Sequence, residues 1–257
     1  MSYEINKIIF LIFSLTFCQH SYSKCIPISF ESDNSVYKRI SYYSLQGDTK
    51  KVEKELNNLL NEYDKDYAIG YSYLIGRNNL KNYNLAEKYL KNSARYCFSP
   101  AHYSLGYLYY IKGLTEESKK WLFSAKNLGD NLAAHQLGLI YKNENNSKEM
   151  LENLKFADTN NFVPSVTELG VQFYDGILVD KNLYQAFKYF EKATFKNDPL
   201  AQNNLGWMYE HGEGVSKDIT KAEKWYRIST ENGFELATEN LKRLDIEIKS
   251  NKTHVDQ

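Results

Sequence analysis

The sequence predicts an all-α protein built from stacked helix pairs, and three observations carry that prediction. A Leu-Gly pair with an aromatic three residues on recurs as Leu105-Gly106-Tyr109, Leu137-Gly138-Tyr141, Leu169-Gly170-Phe173 and Leu205-Gly206-Tyr209, with a weaker copy at Ile69-Gly70-Tyr73. The central glycines stand at 70, 106, 138, 170 and 206, in steps of 36, 32, 32 and 36 residues. A fixed period of that size marks a helical solenoid. A second pattern runs in phase with the first, as AEKYLKNSA from Ala86, SKKWLFSA from Ser118, AFKYFEKA from Ala186 and AEKWYRIS from Ala222. Two patterns per unit imply two helices.

Taken in order, residues 1–23 read as a secretory signal peptide. The apolar run IIFLIFSLTFC from Ile8 to Cys18 follows Lys7 and precedes the small-x-small site Ser21-Tyr22-Ser23. It falls short of the roughly 20 apolar residues of a membrane span. Lipid attachment at Cys18 is the competing reading, which the bulky Phe17 disfavours. Cleavage after Ser23 leaves Cys25 and Cys97, and an even pair in an oxidising compartment is a candidate disulfide. Two unpaired thiols are the alternative. Residues 24–65 form a linker and a capping helix pair with Gly47-Asp48 at its turn, 66–235 hold about five repeats, and 236–257 form a closing helix and tail. Leu236, Leu241, Leu244 and Ile248 recur at near-helical spacing in that last segment, and NKTHVDQ is expected to fray.

Within each second motif the small residue, the aromatic three on and the small residue seven on share a helical face. Glycine inside a helix costs about 1 kcal/mol relative to alanine. Five at one register therefore predict close approach of paired helices, with Gly70, Gly106, Gly138, Gly170 and Gly206 in the core. The degenerate copy MLENLKFA keeps only Met150, Leu154 and Ala157, and looser packing is expected there.

The fullest unit, AQNNLGWMYEHGEGVSKDITKAEKWYRISTENG from Ala201 to Gly233, resembles the Sel-one-like repeat, a relative of the tetratricopeptide repeat. The resemblance rests on Ala201, Leu205-Gly206, Tyr209, Gly212, Gly214-Val215, Asp218, Lys221-Ala222, Trp225-Tyr226 and Gly233. It implies a right-handed α-α superhelical solenoid. The units beginning near Asp66 and Ser165 keep Gly76 and Gly176 but carry Asn78 and Leu178 in place of the second loop glycine. Those beginning near Ala101 and Ala133 lack four loop residues and are closer to the tetratricopeptide form. In the loop, Gly212 and Gly214 suit positive backbone dihedrals, and Asp218, Asn82 and Asn182 stand where the second helix needs an N-cap. Gly-x-Gly after a helix lacks the strand that a phosphate loop requires.

Composition narrows the function classes. The 32 basic and 32 acidic residues cancel, so neither nucleic acid nor membrane insertion after signal cleavage is expected. His102, His135, His211 and His254 are scattered without metal-ligand spacing, and HExxH, CxxC and GxSxG motifs do not occur. No catalytic residues, metal or cofactor are therefore expected; His102 reads as a hydrogen-bonded core histidine. The Asn, Lys, Ile and Tyr bias suggests an AT-rich bacterial genome and so the periplasm, or secretion.

Function should then lie on the surface of the stack, where the first helix of each pair usually lines the concave side. Counting from each glycine, the groove positions are Tyr67, Tyr71, Tyr103, Tyr107, Tyr110, His135, Lys142, Thr167, Glu168, Tyr174, Asn203, Asn204, Trp207 and Glu210. Tyr71, Tyr107, Leu139, Val171 and Trp207, each one residue after a central glycine, are expected to form one continuous ridge. For Trp207 and Tyr107 inter-repeat packing is an equal alternative; for Glu168, Lys142 and Asn204 it is a solvated face. The expectation is an exported, non-catalytic scaffold that binds another protein. The resemblance adds adaptor, periplasmic regulator and toxin-immunity roles. The alternative is a cell-wall peptide or β-lactam binding or hydrolysing enzyme, a role of relatives that staple each repeat with a cysteine pair, which this chain does not do.

Overall fold

A computed structural model of the chain describes residues 34–59, 61–77 and 80–255, with side chains between Val36 and Ile246. The signal-peptide assignment for 1–23 and most of the linker lie outside the described residues. Among the described residues there are thirteen helices: α1 (Asn34–Gln46), α2 (Thr49–Leu56), α3 (Glu62–Ile75), α4 (Tyr83–Ala94), α5 (Ser99–Ile111), α6 (Thr115–Asn127), α7 (Asn131–Asn143), α8 (Ser147–Thr159), α9 (Val163–Asp175), α10 (Leu183–Thr194), α11 (Pro199–His211), α12 (Ile219–Glu231) and α13 (Glu235–Val255). They pack as sequential antiparallel pairs. Two compact units divide the chain, Met1–Ala134 and His135–Gln257.

The recurrent glycines set the spacing within each pair. A Cβ at Gly70, Gly106, Gly138, Gly170 or Gly206 would come within 2.6 to 2.8 Å of Leu90, Leu122, Leu154, Phe190 or Tyr226, respectively. Each of these partners is buried at 1% exposure or less. They stand four residues after the small residue of the second motif, whereas the aromatics that mark that motif, Tyr89, Trp121, Tyr189 and Trp225, stand three after it and are only half-buried. At about 100° per residue these positions flank the small residue by about 40° and 60° on opposite sides. The aromatic three on therefore covers the shoulder of the seam. There Tyr89 stacks on Tyr73 and Tyr189 on Phe173, with ring centroids 6.1 and 5.7 Å apart.

The pair α7–α8 departs from expectation. Met150, Leu154 and Ala157 are fully buried, and Leu154 sits as close to Gly138 as its counterparts do to theirs. The packing is not looser, because MLENLKFA keeps the one residue that faces the glycine, and the flexible Met150 fills the small-residue position.

The ends of the helices follow the loop chemistry. Asn82, Asn182 and Asp218 accept hydrogen bonds from the backbone N–H groups of Leu85, Gln185 and Lys221 at 3.0, 2.9 and 3.0 Å. Gly212 and Gly214 are left-handed, with φ of 70° and 69°. A left-handed residue also ends the second helix of each pair from α3–α4 onward, in turn Cys97, Gly129, Asn161, Asn197 and Gly233. Glycine and asparagine are the residues that enter this region at least cost. Cys97 is engaged in a disulfide; Cys25, its expected partner, lies outside the described residues.

At the start, α1 and α2 form the predicted pair, with Asp48 capping α2 through the Lys51 N–H at 3.1 Å. At the end, α13 runs to Val255, so the helix continues through most of the segment expected to fray. Ala237 and Leu244 face inward at 0% and 1% exposure, while Leu236 is 49% exposed. The inward stripe of α13 is thus offset by one residue from the Leu236 that the spacing suggested.

Candidate functional site

The first-helix positions of the N-terminal unit form a packed tyrosine face. Tyr67 of α3 lies between Tyr37, Tyr71 and Phe98, with ring centroids 5.5, 5.7 and 5.2 Å away. Burial pushes the hydroxyl pKa of Tyr67 and of Tyr71 up, and that of Tyr103 on α5 up to about 12. Tyr107 and Tyr110 are each 40% exposed. Beneath them His102 is fully buried. Its Nε2 lies 3.0 Å from the Ala94 carbonyl and its Nδ1 2.8 Å from Ser124 Oγ. Burial lowers its pKa to about 4, so the ring is neutral, with Nε2–H donating and Nδ1 accepting.

In the C-terminal unit the corresponding positions are mixed. His135 of α7 contacts Ser165 Oγ at 2.9 Å, and burial lowers its pKa. Lys142 pairs with Glu168 at 2.7 Å, and Gln172 Nε2 donates to the same carboxylate. Thr167, Asn203 and Glu210, three of the expected groove positions, are buried. Thr167 Oγ1 has no hydrogen-bond partner among the described residues. Asn203 accepts from Asn240 Nδ2 at 2.9 Å. Burial would raise the pKa of Glu210, but Arg243, donating through both Nη atoms at 2.5 and 2.8 Å, and Tyr226 OH at 2.7 Å hold it below its ordinary value. Both oxygens of Glu210 are thereby engaged in joining α11 to α12 and α13.

Beside this latch lies a cleft of about 470 Å³. Val171, Tyr174 and Asp175 of α9 form one wall, Leu200, Asn203, Asn204 and Trp207 of α11 form the second, and Leu236 and Asn240 of α13 form the third. Phe190 of α10 is the floor. Four expected residues meet here: Tyr174, Asn203, Asn204 and Trp207. The Trp207 ring stacks on His211, with centroids 3.9 Å apart, and the Arg243 guanidinium lies 5.9 Å from its centroid. Tyr174 OH donates to Glu213 Oε2 at 2.6 Å. Burial and that bond push its pKa up to about 12, so this phenol is a donor at neutral pH and not an activated nucleophile.

Leu236 was expected only as part of the closing helix's apolar stripe and Asn240 carried no expectation, yet the repeat itself points to both as cleft residues. They stand 36 residues after Leu200 and Asn204, so one further step of the period finds them. Among the described residues no group of three or more His, Cys, Asp or Glu could hold a metal ion, and no helix is long and apolar enough to cross a membrane.

Residues 66–95, 164–194 and 199–234 match the family described as Sel1 repeat. Two curated relatives are similar over parts of the chain. One is a sel1-like repeat-containing protein, L21, of Acanthamoeba polyphaga mimivirus, 49% identical over 51 residues, which are 20% of this chain and 10% of that protein. The other is the ERAD-associated E3 ubiquitin-protein ligase component HRD3B of Arabidopsis thaliana, 31% identical over 118 residues, 43% of this chain and 18% of that protein. The chain thus spans less than a fifth of the length of either. Among solved structures, a Sel1 repeat protein from Oxalobacter formigenes superposes with a TM-score of 0.63 at 25% identity, covering 79% of this chain and 86% of that one.

Proposed function

Because this chain belongs to the Sel1-like repeat proteins, whose repeats are scaffolds typical of protein–protein interaction, we propose that it binds a partner protein without catalysing a reaction and that the α9–α11–α13 cleft receives the partner. The single observation behind this reading is the cleft itself. It is an apolar concavity with a tryptophan wall and carboxamides in its lining, the chemistry of an anchor pocket. HRD3B, a relative over 118 residues, is by its name a component of a larger assembly, which favours an adaptor role by analogy. The chain acts after export to the periplasm, as an adaptor, a regulator or an immunity protein; the engagement of Cys97 in a disulfide supports an oxidising compartment.

The test is capture of the partner from envelope extract by the full chain, followed by affinity measurement with Trp207→Ala and Tyr107→Ala. Trp207→Ala is expected to weaken binding by about tenfold or more, and Tyr107→Ala to leave it nearly unchanged. A partner held equally well by Trp207→Ala removes the cleft from the account.

A further inference from the structure

The charge at the cleft defines what it accepts. Of the residues that line it, Asp175 is the one that carries a charge. It sits at the end of α9, next to Tyr174, whose hydroxyl is already committed to the carboxylate of Glu213. The nearby cation Arg243 is held by Glu210 through two hydrogen bonds. Lys181 lies 5.3 Å from the centroid of the Tyr174 ring and Lys217 lies against Gly212, both outside the lining, so the charge that the cleft itself presents is the carboxylate of Asp175. The lining also carries the amides of Asn204 and Asn240. Val171, Leu200, Leu236 and Trp207 form its apolar walls.

We infer that the cleft selects a segment of a partner polypeptide that places a lysine or arginine in it, with the aliphatic stem along Val171, Leu200 and Leu236 and the charge at Asp175. This rests on the cleft being the binding site and goes further by naming what fills it. A long basic side chain matches the walls because its methylene stem covers apolar surface while its head reaches polar ground. The acidic end steers it, since complementary charge at the rim of a pocket fixes partner choice more than it adds affinity. Asn204 and Asn240 also line the cleft, and a carboxamide can both donate to and accept from an extended main chain.

The test is selection from a random peptide library on the immobilised full chain, followed by fluorescence anisotropy with the most enriched peptide. The variants are Asp175→Asn, which is isosteric and exposed, and Trp207→Ala, with circular dichroism confirming that both fold. Enriched peptides should share a Lys or Arg, and Asp175→Asn should weaken the selected peptide by about fivefold, the scale of a partly exposed ion pair. Replacing that Lys or Arg by norleucine should cost the wild type the same factor and cost Asp175→Asn little. Peptides that need Trp207 but show no basic preference, or a basic preference that survives Asp175→Asn unchanged, overturn the inference and leave the cleft standing. Binding indifferent to Trp207→Ala overturns the cleft itself. A small molecule found to fill the cleft while no peptide is enriched overturns both.

Discussion

At the position one residue after each central glycine, the N-terminal unit carries Tyr71 and Tyr107, whereas the C-terminal unit carries Leu139, Val171 and Trp207. Three residues before the glycine the contrast repeats, with Tyr67 and Tyr103 against His135, Thr167 and Asn203. In the first unit Tyr67 stacks on Tyr71, and burial shifts the hydroxyls of Tyr67, Tyr71 and Tyr103 upward in pKa. In the second, Val171 and Asn203 are too small to fill the space beside Trp207, and it becomes the cleft. The glycine seam is the same in both, with a Cβ clash of 2.6 Å at Gly106 and again at Gly206. A repeat frame thus fixes where side chains point while leaving the chemistry of the presented face free to differ between copies.

The largest effects should come from the seam. Tyr226→Ala empties the volume opposite Gly206 and removes a donor from Glu210, and is expected to cost about 4 kcal/mol; Leu122→Ala opposite Gly106 should cost about 3 kcal/mol. Urea unfolding of the two variants checks the order. Equal losses would mean that the Tyr226–Glu210–Arg243 network adds nothing to the C-terminal unit.

Next in size is an acid sensitivity carried by the N-terminal unit. The folded pKa of His102, about 4, lies below the ordinary value of 6.5, so between these pH values the unfolded chain binds a proton that the folded chain refuses. Stability is therefore complete above pH 6.5 and falls as pH drops towards 4, by about 3 kcal/mol. His102→Gln, which removes the titrating group, should flatten that slope by about one proton in pH-dependent unfolding. An unchanged slope would place the acid sensitivity elsewhere.

Smaller again are Gly106→Ala and Gly206→Ala. Each gains about 1 kcal/mol in helix propensity and loses roughly 1–3 kcal/mol by overpacking, for a net loss of about 1 kcal/mol. A gain in melting temperature for either would show that its helix pair can move apart.

Much of this frame was legible because it rests on local rules that recur. The five glycines, the caps at Asn82, Asn182 and Asp218, and the closing helix all follow from residue type at a fixed phase. The residues that meet the glycines were harder to see. Leu90, Leu122 and Leu154 are ordinary leucines beside conspicuous aromatics at Tyr89 and Trp121, and only the geometry of the crossing tells which neighbour faces inward. Of the cleft, Tyr174, Asn203, Asn204 and Trp207 could be placed by counting from the glycine. The burial of Glu210 could not, because it depends on Arg243, 33 residues away in sequence and outside the repeat pattern. The cleft was equally hidden, since it arises from small residues at positions where other copies carry tyrosine.

That last point supplies the most direct test of the contrast between the two units. Val171→Tyr gives the C-terminal unit the residue that stands at 71 and 107, and should fill the cleft with little change in stability, within about 1 kcal/mol. The measurement is the affinity of this variant, by fluorescence anisotropy, for the peptide selected on the wild type. A loss of about tenfold or more with an unchanged melting temperature is the predicted result. Undiminished affinity in a folded Val171→Tyr protein would contradict the assignment of the cleft as the recognition surface.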